Sequence, residues 1–189
     1  TNALSKKVVD ERADIGFAFD GDGDRLIIVD EKGNEIDGDK IIALFAKHLI
    51  KFNKSKLKYP VVSTVMSNIG LENYILNKFK VNLKRSSVGD INVIKEMQKY
   101  NSLLGGEQSG HIILSDYSKT GDGILAALKV VEIISKLKKT TSSIFSLYED
   151  YPQIRINIPF KRISKNTLNY IKNLNNKKLK DRDMRLLIR

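Results

Sequence analysis

The sequence predicts an α/β fold, a mixed, mainly parallel sheet with flanking helices, joined by parts of neighbouring domains. Three observations carry this. Between residues 60 and 138, short β-branched runs alternate with longer amphipathic stretches, as in strands joined by crossover helices. A hydrophobic fraction of 41% beside 29% charged residues is a globular composition. A length of 189 residues fits one large domain or parts of two to three small ones.

The elements follow in order. Residues 1–12 read as the end of a helix, with Leu4 and Val8 on one apolar face. Asp14 to Phe19 is a short strand, and Leu26 to Val29 is a second. Lys32-Gly33-Asn34 turns that strand into Glu35-Ile36. Asp37 or Asp39 caps a helix over 39–51, whose Ile41, Ile42, Phe45, Leu49 and Ile50 recur at helical spacing. Pro60 to Met66 is a strand, and Asn68 caps a helix through Phe79. Val81 to Ser86 is a strand, and Gly89-Asp90 opens a helix to about Tyr100. Strands follow at Ser102–Gly105 and His111–Leu114, and Thr120-Gly121-Asp122-Gly123 opens a helix to about Lys138. Ser142 to Asp150 reads as a short helix, Gln153 to Pro159 as an alternating strand, and residues 164–175 as a helix.

Composition removes several classes. Cysteine is absent, which excludes disulfides, thiol catalysis and Cys-ligated metal. Two histidines, His48 and His111, are too few for a histidine metal cage. There is no apolar run of spanning length and no basic-then-apolar leader, so neither a membrane nor a secretory signal is expected. Residues 1–40 carry 6 Lys/Arg against 11 Asp/Glu, net −5, whereas the remainder carries 27 against 11, net +16. The basic excess is scattered Lys without an interleaved aromatic platform. A solvated surface is therefore preferred over nucleic-acid binding. Both ends read as cut, as in a piece of a longer protein.

The chemistry concentrates in two loops. Asp20, Asp22 and Asp24 stand two apart after an apolar strand, with Gly21 and Gly23 between them and Arg25 next. Glycine lets the backbone curl so that the three carboxylates converge. Three oxygen ligands suit a hard divalent cation such as Mg²⁺, and the guanidinium suits a phosphoryl oxygen. Other readings compete. A calcium EF-hand is opposed by Arg25 where that loop needs glycine. An aspartyl-phosphate phosphatase is opposed by Asp24 where that pattern wants Thr or Val. An acidic hairpin turn is the plainest alternative. The second loop is Gly105-Gly106-Glu107-Gln108-Ser109-Gly110-His111, at the end of a strand where α/β ligand crevices form. If the loop is extended, Glu107, Ser109 and His111 alternate towards one side and can bind sugar hydroxyls.

Phe19-Asp20-Gly21-Asp22-Gly23-Asp24-Arg25 followed by Gly106-Glu107-Gln108-Ser109-Gly110-His111 resembles the α-D-phosphohexomutase family. Thr64-Val65-Met66-Ser67-Asn68-Ile69-Gly70-Leu71, Ser87-Val88-Gly89-Asp90 and Thr120-Gly121-Asp122-Gly123-Ile124 match it too. The resemblance covers about residues 1–160 and looks most like the bacterial phosphoglucosamine mutase branch, towards which Gln108 leans. Ile91 and Asn92 depart from it, standing where that branch usually has Arg and Tyr.

The resemblance implies a four-domain parent: the end of domain 2 in 1–37, domain 3 in 38–150, and a linker with the start of domain 4 in 151–189. It implies that Asp20, Asp22 and Asp24 bind one Mg²⁺ together with a phosphoserine of domain 1. Arg25 then acts catalytically on a phosphoryl oxygen, Glu107 and Ser109 grip the substrate's hydroxyls, and His111 supports them. The implied reaction is reversible phosphoryl transfer between the 6- and 1-hydroxyls of glucosamine phosphate through a bisphosphate. It feeds UDP-N-acetylglucosamine synthesis in the cytoplasm. Lacking the serine loop, the isolated chain is expected to be inactive. Alternatives are a phosphoglucomutase or phosphomannomutase of the same family, or a non-catalytic sugar-phosphate-binding fragment. The expected partner is the hexosamine phosphate, with no nucleic acid and no membrane.

Overall fold

Side-chain alternation and tight turns build the first sheet. In the computed structural model, which describes residues 1–52, 59–154, 156, 159, 164–176 and 187, helix α1 (Asn2–Asp10) lays Leu4 and Val8 over Gly16. Strands β1 (Ile15–Phe19) and β2 (Leu26–Asp30) pair antiparallel, with Ile15 opposite Asp30 and Phe19 opposite Leu26. Strand β3 (Glu35–Ile36) continues the sheet beside β2. The buried Asp30 carboxylate sets the turn between them, accepting from the N–H groups of Lys32 at 3.0 Å and Asn34 at 2.8 Å.

The second sheet has the order β5–β4–β6–β7. Strand β4 (Val61–Thr64) runs parallel to β5 (Leu83–Ser86) and to β6 (Leu104–Gly106), and β7 (Ile112–Leu114) returns antiparallel beside β6. The sheet is therefore mixed and mainly parallel. The period of two decides its faces. Val62 and Ile113 face helix α4 (Asp90–Tyr100), closing a small core with Val93 and Met97. Val61, Leu83, Leu104, Ile112 and Leu114 enter the main core with helices α2 (Gly38–Phe52), α3 (Ile69–Phe79) and α5 (Gly123–Leu137). Helices thus cover both sheet faces.

The same main core takes in Leu26, Ile28 and Ile36 of the first sheet, so the two sheets share one apolar interior. Helix α5 contacts β1 and β2 as well as β7. Residues 1–151 form one compact unit and 152–189 another.

Two terminal expectations change. The helix expected over 142–150 is α6 (Thr141–Phe145) alone. It stops at Ser146, and the following chain is captured instead. Lys40 Nζ donates to Tyr148 O at 2.7 Å and pairs with Asp150 at 3.1 Å. Asn68 caps α3 by accepting from Gly70 N at 2.8 Å, and it also binds Tyr151 through both N–H (3.0 Å) and carbonyl (2.9 Å). In the second unit, helix α7 spans Lys165–Asn176. Gln153, Ile154, Ile156 and Pro159 belong to no strand, and Ile154 and Ile156 are exposed. Arg155, Asn157 and Ile158 of that expected strand lie outside the described residues, as do Leu186 and Ile188.

Asn68→Ala removes a helix cap and two further bonds at a buried position. We predict a loss of about 2 kcal/mol in unfolding free energy by urea denaturation. A loss below about 0.5 kcal/mol would contradict this role for Asn68.

Candidate active site

The loop between β1 and β2 gathers the acidic residues. Asp20 Oδ1 accepts from Arg25 N–H at 3.2 Å, and Asp20 O accepts from Gly23 N–H at 3.2 Å, so the loop folds back on itself. One oxygen from each of Asp20, Asp22 and Asp24 then lies within 4.8 Å of the others. Arg25 Nε stands 3.5 Å from Asp20 Oδ2 and 3.8 Å from Asp24 Oδ1, with its side chain half exposed.

These carboxylates sit in different fields. Partial burial works to raise Asp20, but the Arg25 N–H, the nearby Asp24 carboxyl and the Arg25 guanidinium hold it below the usual range. Burial, then the adjacent Asp20, push Asp24 up against the pull of His111. Asp24 Oδ1 is buried and has no hydrogen-bond partner among the described residues. An all-carboxylate donor set with one such oxygen fits a hard divalent cation.

The second loop is a hairpin turn between β6 and β7 and not the extended segment expected. Glu107 N–H donates to His111 O at 2.9 Å, and Gly110 N–H donates to Glu107 O at 3.0 Å. Gly110 has φ +96°, which a side chain would strain, and this reversal breaks the alternation. Glu107 and Ser109 remain together, with Ser109 Oγ 3.4 Å from Glu107 Oε2. Glu107 Oε1 also accepts from Gly89 N–H at 3.0 Å, at the start of α4. His111 turns the other way. It is buried, and its Nδ1 lies 2.9 Å from Asp24 Oδ2.

The two loops meet through backbone. Leu26 N–H donates to Gly110 O at 3.0 Å, and Arg25 and His111 form an antiparallel bridge. Helix α5 joins them, with Gly123 N–H donating to Gly23 O at 2.9 Å. Its cap is Asp122, which accepts from Leu125 N–H at 2.8 Å.

By sequence, Asp37 and Asp39 are cap candidates for the following helix and nothing more. Asp37 caps α2, accepting from Lys40 N–H at 3.2 Å, and also accepts from Gln108 Nε2 at 3.1 Å. Asp39 is fully buried and accepts from Asn68 N–H at 2.7 Å, fixing the 64–68 loop. Arg85 holds the same loop, donating to Thr64 O at 3.1 Å and Ser67 O at 2.8 Å while pairing with Glu72. The repeated Asp-Gly-Asp at 37–39 was the available signal.

The acidic loop of the small antiparallel sheet is thus bound through backbone to the Glu–Ser hairpin of an α/β/α unit. The family model described as phosphoglucomutase/phosphomannomutase, alpha/beta/alpha domain III, matches residues 37–151, and the chain belongs to that family. Phosphoglucosamine mutase of Sulfurovum sp. is 51% identical over 159 residues, 84% of this chain and 35% of that protein. Phosphoglucosamine mutase of Fusobacterium nucleatum is 49% identical over 194 aligned positions, 98% of this chain and 42% of that protein. The chain therefore spans well under half the length of these curated relatives. Among solved structures, a phosphoglucomutase/phosphomannomutase family protein from Burkholderia thailandensis superposes with a TM-score of 0.69 at 26% identity, over 77% of this chain and 31% of that one. The N-acetylphosphoglucosamine mutase of Aspergillus fumigatus, solved with GlcNAc-6P and magnesium, gives a TM-score of 0.58 at 21% identity over 72% of this chain and 36% of that one.

Burial, chiefly, raises the Asp39 carboxyl to about 6, with Asp37 adding repulsion. Its folded form therefore binds a proton more tightly than the unfolded chain does. The stability this group contributes is full below about pH 4 and falls as pH rises through 6, by at most about 3 kcal/mol. Asp39→Asn should flatten that decline in urea titrations at pH 4 to 7. An unchanged slope would show that Asp39 does not titrate in this range.

Proposed function

We propose that this chain is the centre of a phosphoglucosamine mutase, which interconverts glucosamine 6-phosphate and glucosamine 1-phosphate through a bisphosphate intermediate. The observation that carries the reading is the backbone union of the Asp20–Asp22–Asp24 loop with the Glu107–Ser109 hairpin. The named relatives at about half identity support the glucosamine branch. In domain terms, 1–37 closes domain 2, 38–150 is domain 3, and 151–189 leads into domain 4.

Asp20, Asp22 and Asp24 would hold Mg²⁺, which supplies charge neutralisation at the transferring phosphoryl group. Support comes from the donor set and from the magnesium named in the Aspergillus structure. Arg25, half exposed beside the triad, presents a fixed cation to a phosphoryl oxygen. Glu107 accepts from sugar hydroxyls, and Ser109 can donate or accept, so the pair can grip either face of a turned-over sugar. His111 acts from behind, orienting Asp24. The phosphoserine that exchanges phosphoryl groups belongs to another part of the parent, so the isolated chain is inactive. The reaction is cytoplasmic and supplies the amino-sugar phosphate for UDP-N-acetylglucosamine and peptidoglycan precursors. No helix of the described residues is long and apolar enough to cross a membrane.

The test is a coupled assay of the full-length protein with glucosamine, glucose and mannose 6-phosphates, Mg²⁺ and a bisphosphate primer. We expect preference for glucosamine 6-phosphate, and a loss of about 100-fold or more in kcat for Asp22→Ala. Preference for a neutral sugar would move the protein to the phosphoglucomutase or phosphomannomutase branch. No conversion of any sugar by folded, phosphorylated enzyme would refute the mutase reading.

A further inference from the structure

We infer that Asp37 is a positioning residue, which through Gln108 fixes the hairpin turn carrying Glu107 and Ser109. The inference rests on the mutase reading for its consequence and on geometry for its substance. Gln108 is the only residue between the two sugar-facing side chains, and both its ends are held by the start of α2. Its Nε2 donates to Asp37 Oδ2 at 3.1 Å, and its carbonyl accepts from Gly38 N–H at 3.0 Å. Two points of attachment fix a peptide plane where one would leave it free to rock. The fit at residue 38 is close: a Cβ there would collide with Glu107 O and press on Gly110. The acceptor is a carboxylate, which makes the side-chain bond charge-assisted. Asp37 is itself only partly exposed and is tied to Lys40 N–H, so its oxygens are aimed before Gln108 arrives.

The support beneath is rigid. Ile41, Ile42 and Leu44, on the first turns of α2, are fully buried. A site residue held by a packed helix stays within the fraction of an ångström that productive positioning needs. The brace also requires a donor at 108. Leucine or methionine there keeps volume but offers Asp37 nothing, and glutamate opposes it with charge. Asp37 touches no substrate in this scheme. Its effect reaches the sugar only through Glu107 and Ser109.

The test is a double-mutant cycle in the full-length protein, read as kcat/KM for glucosamine 6-phosphate. Gln108→Leu leaves the α2 cap intact and so spares the fold. We expect it to lower kcat/KM about tenfold in the native background but less than about twofold beside Glu107→Gln, because it acts through that residue. Asp37→Asn, which keeps an acceptor oxygen, should retain most activity. Equal losses in both backgrounds, or no loss with Gln108→Leu, overturn the brace. If the native enzyme converts no hexosamine phosphate, the mutase reading fails, and hydrogen exchange still decides the brace. Gln108→Leu must then speed exchange of the Gly38 and Gly110 amides, and unchanged rates refute it.

Discussion

Leu26 donates its backbone N–H to Gly110 O at 3.0 Å, and beside it Arg25 pairs with His111 across the gap between two sheets. These contacts join segments more than 80 residues apart, and everything proposed for the site depends on them. They bring the acidic loop, which ends one small antiparallel sheet, onto the hairpin of a second, mainly parallel sheet. Side chains then reinforce what the backbone sets, as when His111 reaches Asp24 at 2.9 Å. The shared apolar core below, with Leu26 and Ile28 packed beside Ile112 and Leu114, keeps the two sheets from separating.

Above that core the structure holds concentrated charge. Three carboxylates crowd one point, and Asp37 and Asp39 add two more at the head of α2. Protein groups meet part of the second pair: Gln108 and the Lys40 N–H for Asp37, the Asn68 N–H for Asp39 Oδ2, while Asp39 Oδ1, like Asp24 Oδ1, is buried with no hydrogen-bond partner among the described residues. The first set is compensated by Arg25 and His111, with Arg25 Nε 3.8 Å from Asp24 Oδ1 and His111 Nδ1 2.9 Å from Asp24 Oδ2. The two sets differ in exposure: Asp20 and Asp22 are open to solvent, whereas Asp39 is fully buried.

The sequence made the elements legible where physics is local. Asn68 was readable as a cap because its side chain acts two residues away, on Gly70. The strand–helix alternation from Pro60 to Leu137 followed from periodicity, and the carboxylate loop from spacing. What depends on distant partners was not readable. The hairpin form of 107–110 hangs on Gly110 at φ +96°, a value the letter G permits without requiring. The short extent of α6 is decided by Lys40, 108 residues from Tyr148, which claims the chain for another purpose. The bond from Asp37 to Gln108 spans 71 residues and breaks no local rule, so no pattern announced it.

At Gly38, Gly110 and Gly123 one backbone presses on another, against Glu107, Leu26 and Arg25 respectively. For anyone wishing to re-engineer the proposed sugar site, this sets the unit of exchange. A loop transplanted alone from a relative would meet a foreign backbone at its seams. The cassette that can move as one piece comprises residues 20–38 together with 105–123. Within it, the side chain at 109 can be exchanged and that at 107 must still accept from Gly89 N–H, while the main chain is common property of both segments.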